Sequence, residues 1–457
     1  MNAPRPDETG LQHGLKQRHM TMIALGGVIG AGLFVGSSVV IKEAGPAAVI
    51  SFLLTGLLVV LVMKMLGEMA AALPGIGSFY EFVRLALGNL AGFVTGWMYW
   101  YFWVIVVALE AIAGAQLLRF WLPGMPLWIG SLGIMFLLTL SNLMSVRSYG
   151  ETEFWFASVK VAAIVVFLFL GALFVLGLWP TATPGLANLV AHGGFAPNGI
   201  LPVLSGAVAA TGFYFGAEVV TVAAAEATEP AKAIARATSS VITRVLIFYI
   251  GSIFLVVAIV PWNSHEIATP YVSALKAIGV PAAAQIMNAV ILTAVLSALN
   301  SGLYVSSRML FALTRTGDAP RSLAKLNRKG VPVRAILLGT LFGYGAVIMS
   351  YISPDRVFAF LVDSYGTVAL FVYLLIAVAE LRLRRRLERD NPAALVAKMW
   401  AFPALTYATI AGMVAILAAM ALIPDQRMPL LLGFASLGVM LAVYGVRALR
   451  LGSRPTV

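Results

Sequence analysis

The sequence predicts an all-α polytopic membrane protein with twelve transmembrane helices, on the evidence of its composition, its length and the spacing of its apolar runs. Hydrophobic residues make up 60% of the 457-residue chain and charged residues only 11%, with a mean hydropathy of +0.93. These values lie far outside the range of soluble globular domains. Since a spanning helix needs about 20 mostly apolar residues, a chain of this length holds about ten to fourteen spans and little else.

Twelve apolar runs, bounded by Pro, Gly and clusters of charge, supply the spans. They cover residues 20–41, 47–73, 91–120, 127–146, 154–178, 200–225, 245–260, 282–313, 335–352, 357–379, 400–423 and 430–446. Grouped by position, they predict an N-terminal segment at 1–19, a first five-helix unit at 20–180, a second at 200–382, helices 11 and 12 at 400–450, and a tail at 451–457. The first 19 residues lack an apolar core, so we do not expect a cleaved signal peptide there.

The placement of Lys and Arg sets the orientation, because cytoplasmic loops and helix ends retain these residues. With the N-terminus inside, only five of the 31 Lys and Arg residues fall on the outer side: Lys42, Arg119, Lys276, Arg356 and Arg427. We therefore expect both termini in the cytoplasm. The net charge of +12 comes from Lys and Arg residues in the loops that set the membrane topology, so no nucleic-acid partner is expected.

Residue types that catalysis and metal binding usually need are missing from the predicted spans. The chain has no Cys, and its four histidines fall in predicted connections: His13, His19, His192 and His265. A polytopic membrane enzyme, the rival class, would need a nucleophile with a base or a metal cluster inside the membrane. We therefore expect no enzyme activity, no metal site and no organic cofactor.

Two glycine-rich stretches interrupt the first and sixth spans, at residues 26–32 (GGVIGAG) and 212–218 (GFYFGAE). Non-helical backbone at membrane depth is tolerated only where it lines a cavity or is buried in protein. Because the sixth span comes five positions after the first, it crosses in the opposite direction. Paired broken helices of this kind are typical of inverted-repeat secondary transporters. The alternative is close helix packing through small residues.

The direction in which each broken span crosses the membrane determines which charged group its break can bind. The outer half of the first span would begin near Gly32 with free N–H groups and a positive dipole end, which suits a carboxylate. The outer half of the sixth span would end near residues 212–215 with free carbonyl groups, which suit an ammonium. Together the two breaks predict a pocket for a zwitterion.

Ionisable side chains within spans cost about 2.5–3.5 kcal/mol each at the helix centre and are candidates for function. Lys160 lies ten residues after Gly150, too deep for its stem to reach an interface. It is either a proton carrier or a structural ammonium that caps carbonyl groups. Glu218, directly after the second break, could steer the half-helix or exchange a proton. Lys64 and Glu68, at positions i and i+4, are expected to pair with each other.

Three further carboxylates and one indole are weaker candidates. Trp103 and Glu110 fall on one face of the third span, where Trp103 is a pocket wall or ordinary packing. Glu110 is a ligand for substrate or proton, or a packed side chain. Glu153, beside Arg147, and Glu226 are expected to be cytoplasmic surface charges or salt bridges of a gate.

Several motifs resemble those of the amino-acid permeases of the amino acid, polyamine and organocation superfamily. They are residues 44–46 (AGP) followed by 67–68 (GE) and Pro74, residues 150–156 (GETEFWF) ahead of Lys160, residues 224–227 (AAEA) with Pro230, and residues 300–304 (NSGLY) running to 307–310 (SRML). The resemblance extends from about Leu15 to the last span. Within this family, residues 108–111, 216–221 and 361–364 resemble those of bacterial 4-aminobutyrate permeases.

The resemblance implies a five-plus-five inverted repeat with broken first and sixth helices, and proton-driven uptake of an amino acid across the bacterial inner membrane. The implied substrate is 4-aminobutyrate or a related neutral amino acid, with the proton as coupling ion and a monomer sufficient. Carboxylate and amine would be held by the two breaks, at Ile29, Gly30, Ala31, Gly32, Phe213, Tyr214 and Phe215. Lys160 would occupy the place of a sodium ion that distant relatives bind between the first and eighth spans. Ser301 and its neighbours would line this place from the eighth span.

One position departs from the family pattern. Similar permeases usually carry a bulky aromatic residue six positions before the sixth-span glutamate, where this chain has Gly212. Phe213 or Tyr214 takes its place if the break is shifted by one residue. Otherwise the pocket is larger and accepts a bulkier amino acid. An amino-acid exchanger and an uncoupled facilitator are the remaining alternatives, and the sequence does not separate an exchanger from a symporter.

Overall fold

The computed structural model describes residues 15–30, 32–73, 76, 78–180, 185–223, 234 and 246–452. Regular structure in these ranges is helical, without strands. Ten helical segments in the described ranges are long and apolar enough to cross a bilayer, and a shorter apolar helix covers Ile247–Ile259. The protein is therefore an all-helical, multi-pass membrane protein, as the composition predicts.

The first nine helices, numbered in chain order, are α1 Gln17–Val28, α2 Ser37–Ala44, α3 Ala48–Ala72, α4 Phe79–Leu87, α5 Asn89–Leu118, α6 Leu127–Met144, α7 Val146–Val175, α8 Ile200–Tyr214 and α9 Val219–Ala223. The remaining helices of the described residues are α10 Ser252–Ile259, α11 Pro270–Ile278, α12 Ala283–Arg315, α13 Val333–Ile352, α14 Pro354–Asp390, α15 Ala404–Leu422 and α16 Arg427–Gly452. One turn of π-helix precedes each of α2 and α10.

Both interruptions expected from the glycine-rich stretches are present. Helix α1 ends at Val28, and Ile29 adopts extended backbone before the chain becomes helical again at Gly32. Helix α8 ends at Tyr214, Phe215 is extended, and Gly216 has φ +118°, a conformation that favours glycine. Helix α9 then begins at Val219. The second interruption thus arises where glycine permits backbone that other residues would resist.

Helix α5 lies at the centre of the molecule and packs along α12, α14 and α13. Helix α1 packs against α7 and α12, and α3 packs against α8 and α14. Helices α15 and α16 lie at the periphery, where most of their apolar surface is exposed. A soluble protein would bury that surface, so its exposure is consistent with contact to lipid.

Two expectations about charged residues are wrong. Lys64 and Glu68 do not pair, because each has a tertiary partner: Glu68 accepts a hydrogen bond from Arg384 at 2.5 Å, and the Lys64 ammonium lies over the Trp400 ring. His19 lies within α1 and is buried, not in a connection.

Buried ion pairs join helices that are distant in sequence. Glu68 is 2% exposed and also accepts a hydrogen bond from the backbone N–H of Met399, so it links α3 to α14 and to the segment before α15. Asp318, after α12, pairs with Arg84 of α4 and with Arg447 of α16. These two carboxylates hold together the ends of five helices.

We expect Arg384→Met to destabilise the protein by about 3–5 kcal/mol, because it leaves the Glu68 carboxylate buried without its counterion. Thermal unfolding in detergent measures the effect. Arg385→Met is the matched control, since Arg385 is exposed and should contribute at most about 1 kcal/mol. Adding Glu68→Gln to Arg384→Met should recover part of the loss. Equal melting temperatures for the Arg384 and Arg385 variants would contradict the assignment.

Candidate functional site

A small cavity, with a volume of about 60 Å³, lies between the two interruptions and α5. Its walls are mainly apolar, with few polar groups, as is usual for a small-molecule site. Seven of the residues expected from the sequence line it: Gly30, Gly32, Trp103, Glu110, Gly212, Phe213 and Phe215. The structure therefore brings both glycine-rich stretches and the third predicted span together around one space.

The two interruptions touch through their backbones. A Cβ atom on Gly27 would lie 2.6 Å from the Gly216 carbonyl oxygen, and one on Gly216 would lie 2.1 Å from the Gly27 carbonyl oxygen. Both distances are far below van der Waals contact, so no side chain fits at either position. The Gly27–Gly216 contact fixes how far apart the two interruptions lie.

Glu218 holds the second interruption in place. Its side chain is fully buried and accepts hydrogen bonds from the backbone N–H of Gly216 at 3.1 Å, from Tyr373 Oη at 2.7 Å and from Tyr99 Oη at 2.9 Å. The Gly216 N–H is one of the groups that the interruption releases from helical bonding. The carboxylate therefore bonds directly to the backbone of the second interruption.

Phe213, and not Tyr214, is one of the aromatic residues that line the cavity. The Phe213 ring packs on Gly32 and Gly36, where a Cβ atom would meet it at 2.5 Å in both cases. Its carbonyl oxygen accepts a hydrogen bond from Tyr249 Oη at 2.7 Å. Tyr214 is fully buried away from the cavity, where its hydroxyl donates to the Phe52 carbonyl group. The ring of Phe213 thus occupies space next to Gly212 that would otherwise enlarge the cavity.

Lys160 lies at the first interruption with all three ammonium donors bonded. Its Nζ atom donates to the carbonyl oxygen of Gly26 at 2.6 Å, to that of Ile29 at 2.7 Å and to Ser297 Oγ at 2.9 Å. The side chain is fully buried. A buried ammonium is tolerated only where such partners exist. Lys160 therefore joins α7 to the broken end of α1 and to α12.

Glu153 continues this network and is a correction to the sequence analysis. It is fully buried instead of lying on the surface, and it accepts hydrogen bonds from Ser297 Oγ at 2.5 Å and from Asn300 Nδ2 at 3.2 Å. Glu153 and Lys160 are seven residues apart, which is two helical turns and hence one face of α7. That spacing could have indicated the shared location.

The hydroxyl group that bonds to Lys160 belongs to Ser297, one turn before the expected Ser301. Ser301 lies in the same network, where its hydroxyl group interacts with Glu153 and its Oγ lies 3.5 Å from Tyr149 Oη. Ala31 and Glu226 fall outside the described residues. No position can therefore be given for these two.

Glu110 differs from the other buried carboxylates because it faces the cavity. Its Oε2 atom is buried and has no hydrogen-bond partner within the described residues. A buried carboxylate oxygen without a donor is costly. The free oxygen can accept a hydrogen bond from a molecule in the cavity.

Comparison with known proteins matches the chain over nearly its whole length. A family model described as amino acid permease matches residues 19–449. The gamma-aminobutyric acid permease of Bacillus subtilis (strain 168) is 52% identical, covering 96% of this chain and 94% of the relative. The gamma-aminobutyric acid permease of Escherichia coli (strain K12) is 47% identical with the same coverage. The aromatic amino acid transport protein of Corynebacterium glutamicum is 39% identical over 89% of this chain and 90% of the relative.

We expect Gly27→Ala to destabilise the fold, because its Cβ atom would collide with the backbone of Gly216. Gly30→Ala is the matched control, since a Cβ atom at Gly30 has no neighbour within 4 Å and enters the cavity. We expect the Gly27 variant to lose several degrees of melting temperature in detergent and the Gly30 variant to lose little. If both variants melt alike, the two interruptions are not in contact.

Proposed function

The chain belongs to the amino acid permease family, and from this premise we propose that it couples uptake of 4-aminobutyrate, or a related small neutral amino acid, to proton entry. The chain is an amino acid transporter and not an enzyme, since its relatives are permeases. The proposal of proton coupling rests on Lys160, whose ammonium group is fully buried and bonded to the carbonyl groups of the first interruption.

The proposal includes twelve spans in a five-plus-five inverted repeat, with units at 20–180 and 200–382 and two further helices at 400–450. Two observations support twelve spans instead of the ten long apolar helices found in the described residues. The first helical run, Arg18–Ala72, has 55 residues, more than twice the about 20 that one crossing needs. The short helix at Ile247–Ile259 adds another candidate. The skew of Lys and Arg supports cytoplasmic termini in the inner membrane.

The cavity is the proposed substrate site. The backbone at Gly30 and Gly32 would bind the carboxylate of the amino acid, because a helix beginning there presents its N–H groups and positive dipole end. Backbone of the second interruption, near Phe215, would accept from its amine. The Phe213 ring against Gly32 and Gly36 limits the space, which favours a small substrate over a bulky one. The two relatives described as gamma-aminobutyric acid permeases support the same choice.

Proton transfer at Lys160 would drive alternating access. Loss of its proton would remove one donor and the positive charge from the contacts with Gly26 and Ile29, and so weaken the joint between α7 and the broken end of α1. A change of charge at such a joint shifts the balance between outward and inward states. Ser297 of α12 and Glu153 of α7 extend the hydrogen-bonded network, so we include them in the proton site.

Lys160→Ala should abolish accumulation of amino acid driven by a pH gradient while weakening equilibrium binding much less, because Lys160 does not itself line the cavity. The measurement is uptake into proteoliposomes that contain no internal amino acid, with and without an imposed inward proton gradient. Lys64→Ala is the matched control, since Lys64 lies within a span but contacts Trp400.

Two results would contradict the proposal. Accumulation by the Lys160 variant in response to the gradient would assign Lys160 a structural role. Wild-type uptake that occurs only when the liposomes contain internal amino acid would identify an exchanger.

Phe213→Ala should change which amino acids bind, because it removes the ring that limits the cavity. We expect 4-aminobutyrate, and not phenylalanine, to raise the melting temperature of the wild type. The variant should gain at least tenfold in affinity for phenylalanine. Phe136→Ala is the control, since Phe136 is 61% exposed and lies on the outer surface. A Phe213 variant with unchanged preference would show that this ring does not limit the substrate.

A further inference from the structure

A second cavity, with a volume of about 420 Å³, lies between the end of α4 and the arginine-rich end of α14. One wall is formed by residues 85–88, and the other carries Arg382, Arg386 and Arg389. We propose that this arginine pocket binds the phosphate group of an anionic phospholipid. The proposal is independent of the substrate and of the coupling ion.

The charge of the arginine pocket is largely uncompensated. Arg386 pairs with Asp390 at 3.5 Å, and both side chains are more than half exposed. Arg382 and Arg389 have no carboxylate partner among the residues that the structure describes. Arg384 points to the opposite face of α14, where Glu68 binds it. Two guanidinium groups thus remain available to an anion.

The length of α14 places the arginines at the membrane boundary. The helix has 37 residues and is therefore about 55 Å long, whereas the hydrocarbon core is about 30 Å thick. Its apolar stretch at 357–379 ends three residues before Arg382. If that stretch spans the core, the three arginines lie at the depth of lipid headgroups, on the side where Lys and Arg are concentrated.

The opposite side of the pocket carries leucine side chains, which favour a lipid over a free anion. Leu85 is 46% exposed, and Leu90, just beyond the pocket, is 43% exposed. Leucine side chains suit an acyl chain, and the planar guanidinium of Arg binds phosphate oxygens in pairs. Basic pockets between spans on the cytoplasmic side are known to bind anionic headgroups. The pocket therefore fits an anionic glycerophospholipid better than inorganic phosphate.

The test is to titrate the purified full-length chain, in neutral detergent, with candidate ligands and to measure its melting temperature at each concentration. The probes are short-chain phosphatidylglycerol, phosphatidylcholine with the same acyl chains, and inorganic phosphate. The triple variant Arg382→Gln, Arg386→Gln, Arg389→Gln removes the basic wall. The matched control is Arg321→Gln, Lys325→Gln, Arg328→Gln, which removes three exposed charges from the segment between α12 and α13.

We expect the wild type and the control variant to bind phosphatidylglycerol at least tenfold more tightly than phosphatidylcholine, and the triple variant to lose this preference. If the triple variant does not fold, Arg382→Gln alone should weaken binding about fivefold, the usual effect of one basic residue near a membrane surface. An unchanged preference in the arginine variants would overturn the proposal. Inorganic phosphate that stabilises the protein as strongly as the lipid would also overturn it.

Discussion

Inside a bilayer no water is available to the backbone, so an interrupted helix persists only where other groups bond to its released N–H and C=O groups. This requirement explains the charges at the centre of the molecule. Lys160 bonds to carbonyl groups of the first interruption, and Glu218 bonds to an N–H group of the second. The cavity exists because opposite charges stabilise the two segments of irregular backbone that form its walls.

The residues that stabilise the interruptions also connect helices that are distant in sequence. Lys160 links α7 to α1 and, through Ser297, to α12. Glu218 links α9 to α5 and α14 through two tyrosine hydroxyl groups. Both interruptions are therefore bonded directly to long, apolar helices.

The sequence predicted the features that depend on local composition. Apolar runs indicated the spans, paired glycine stretches indicated both interruptions, and the depth of Lys160 indicated carbonyl partners. It did not predict contacts that depend on how helices rotate against each other. Glu153 was expected at the surface because it follows Arg147, but its face of α7 meets α12. Similarly, Ser297 and not Ser301 faces Lys160, because one turn of α12 decides which hydroxyl group is in reach.

The contact between Gly27 and Gly216 has a consequence for how such proteins diverge. Since backbone meets backbone there, the geometry of the joint does not depend on the identity of any side chain. Phe213, only three residues away, occupies the cavity without taking part in that contact. Mutation at Phe213 can therefore alter which molecules fit the cavity while the contact between the two interruptions stays the same, so that a new specificity does not require a new backbone.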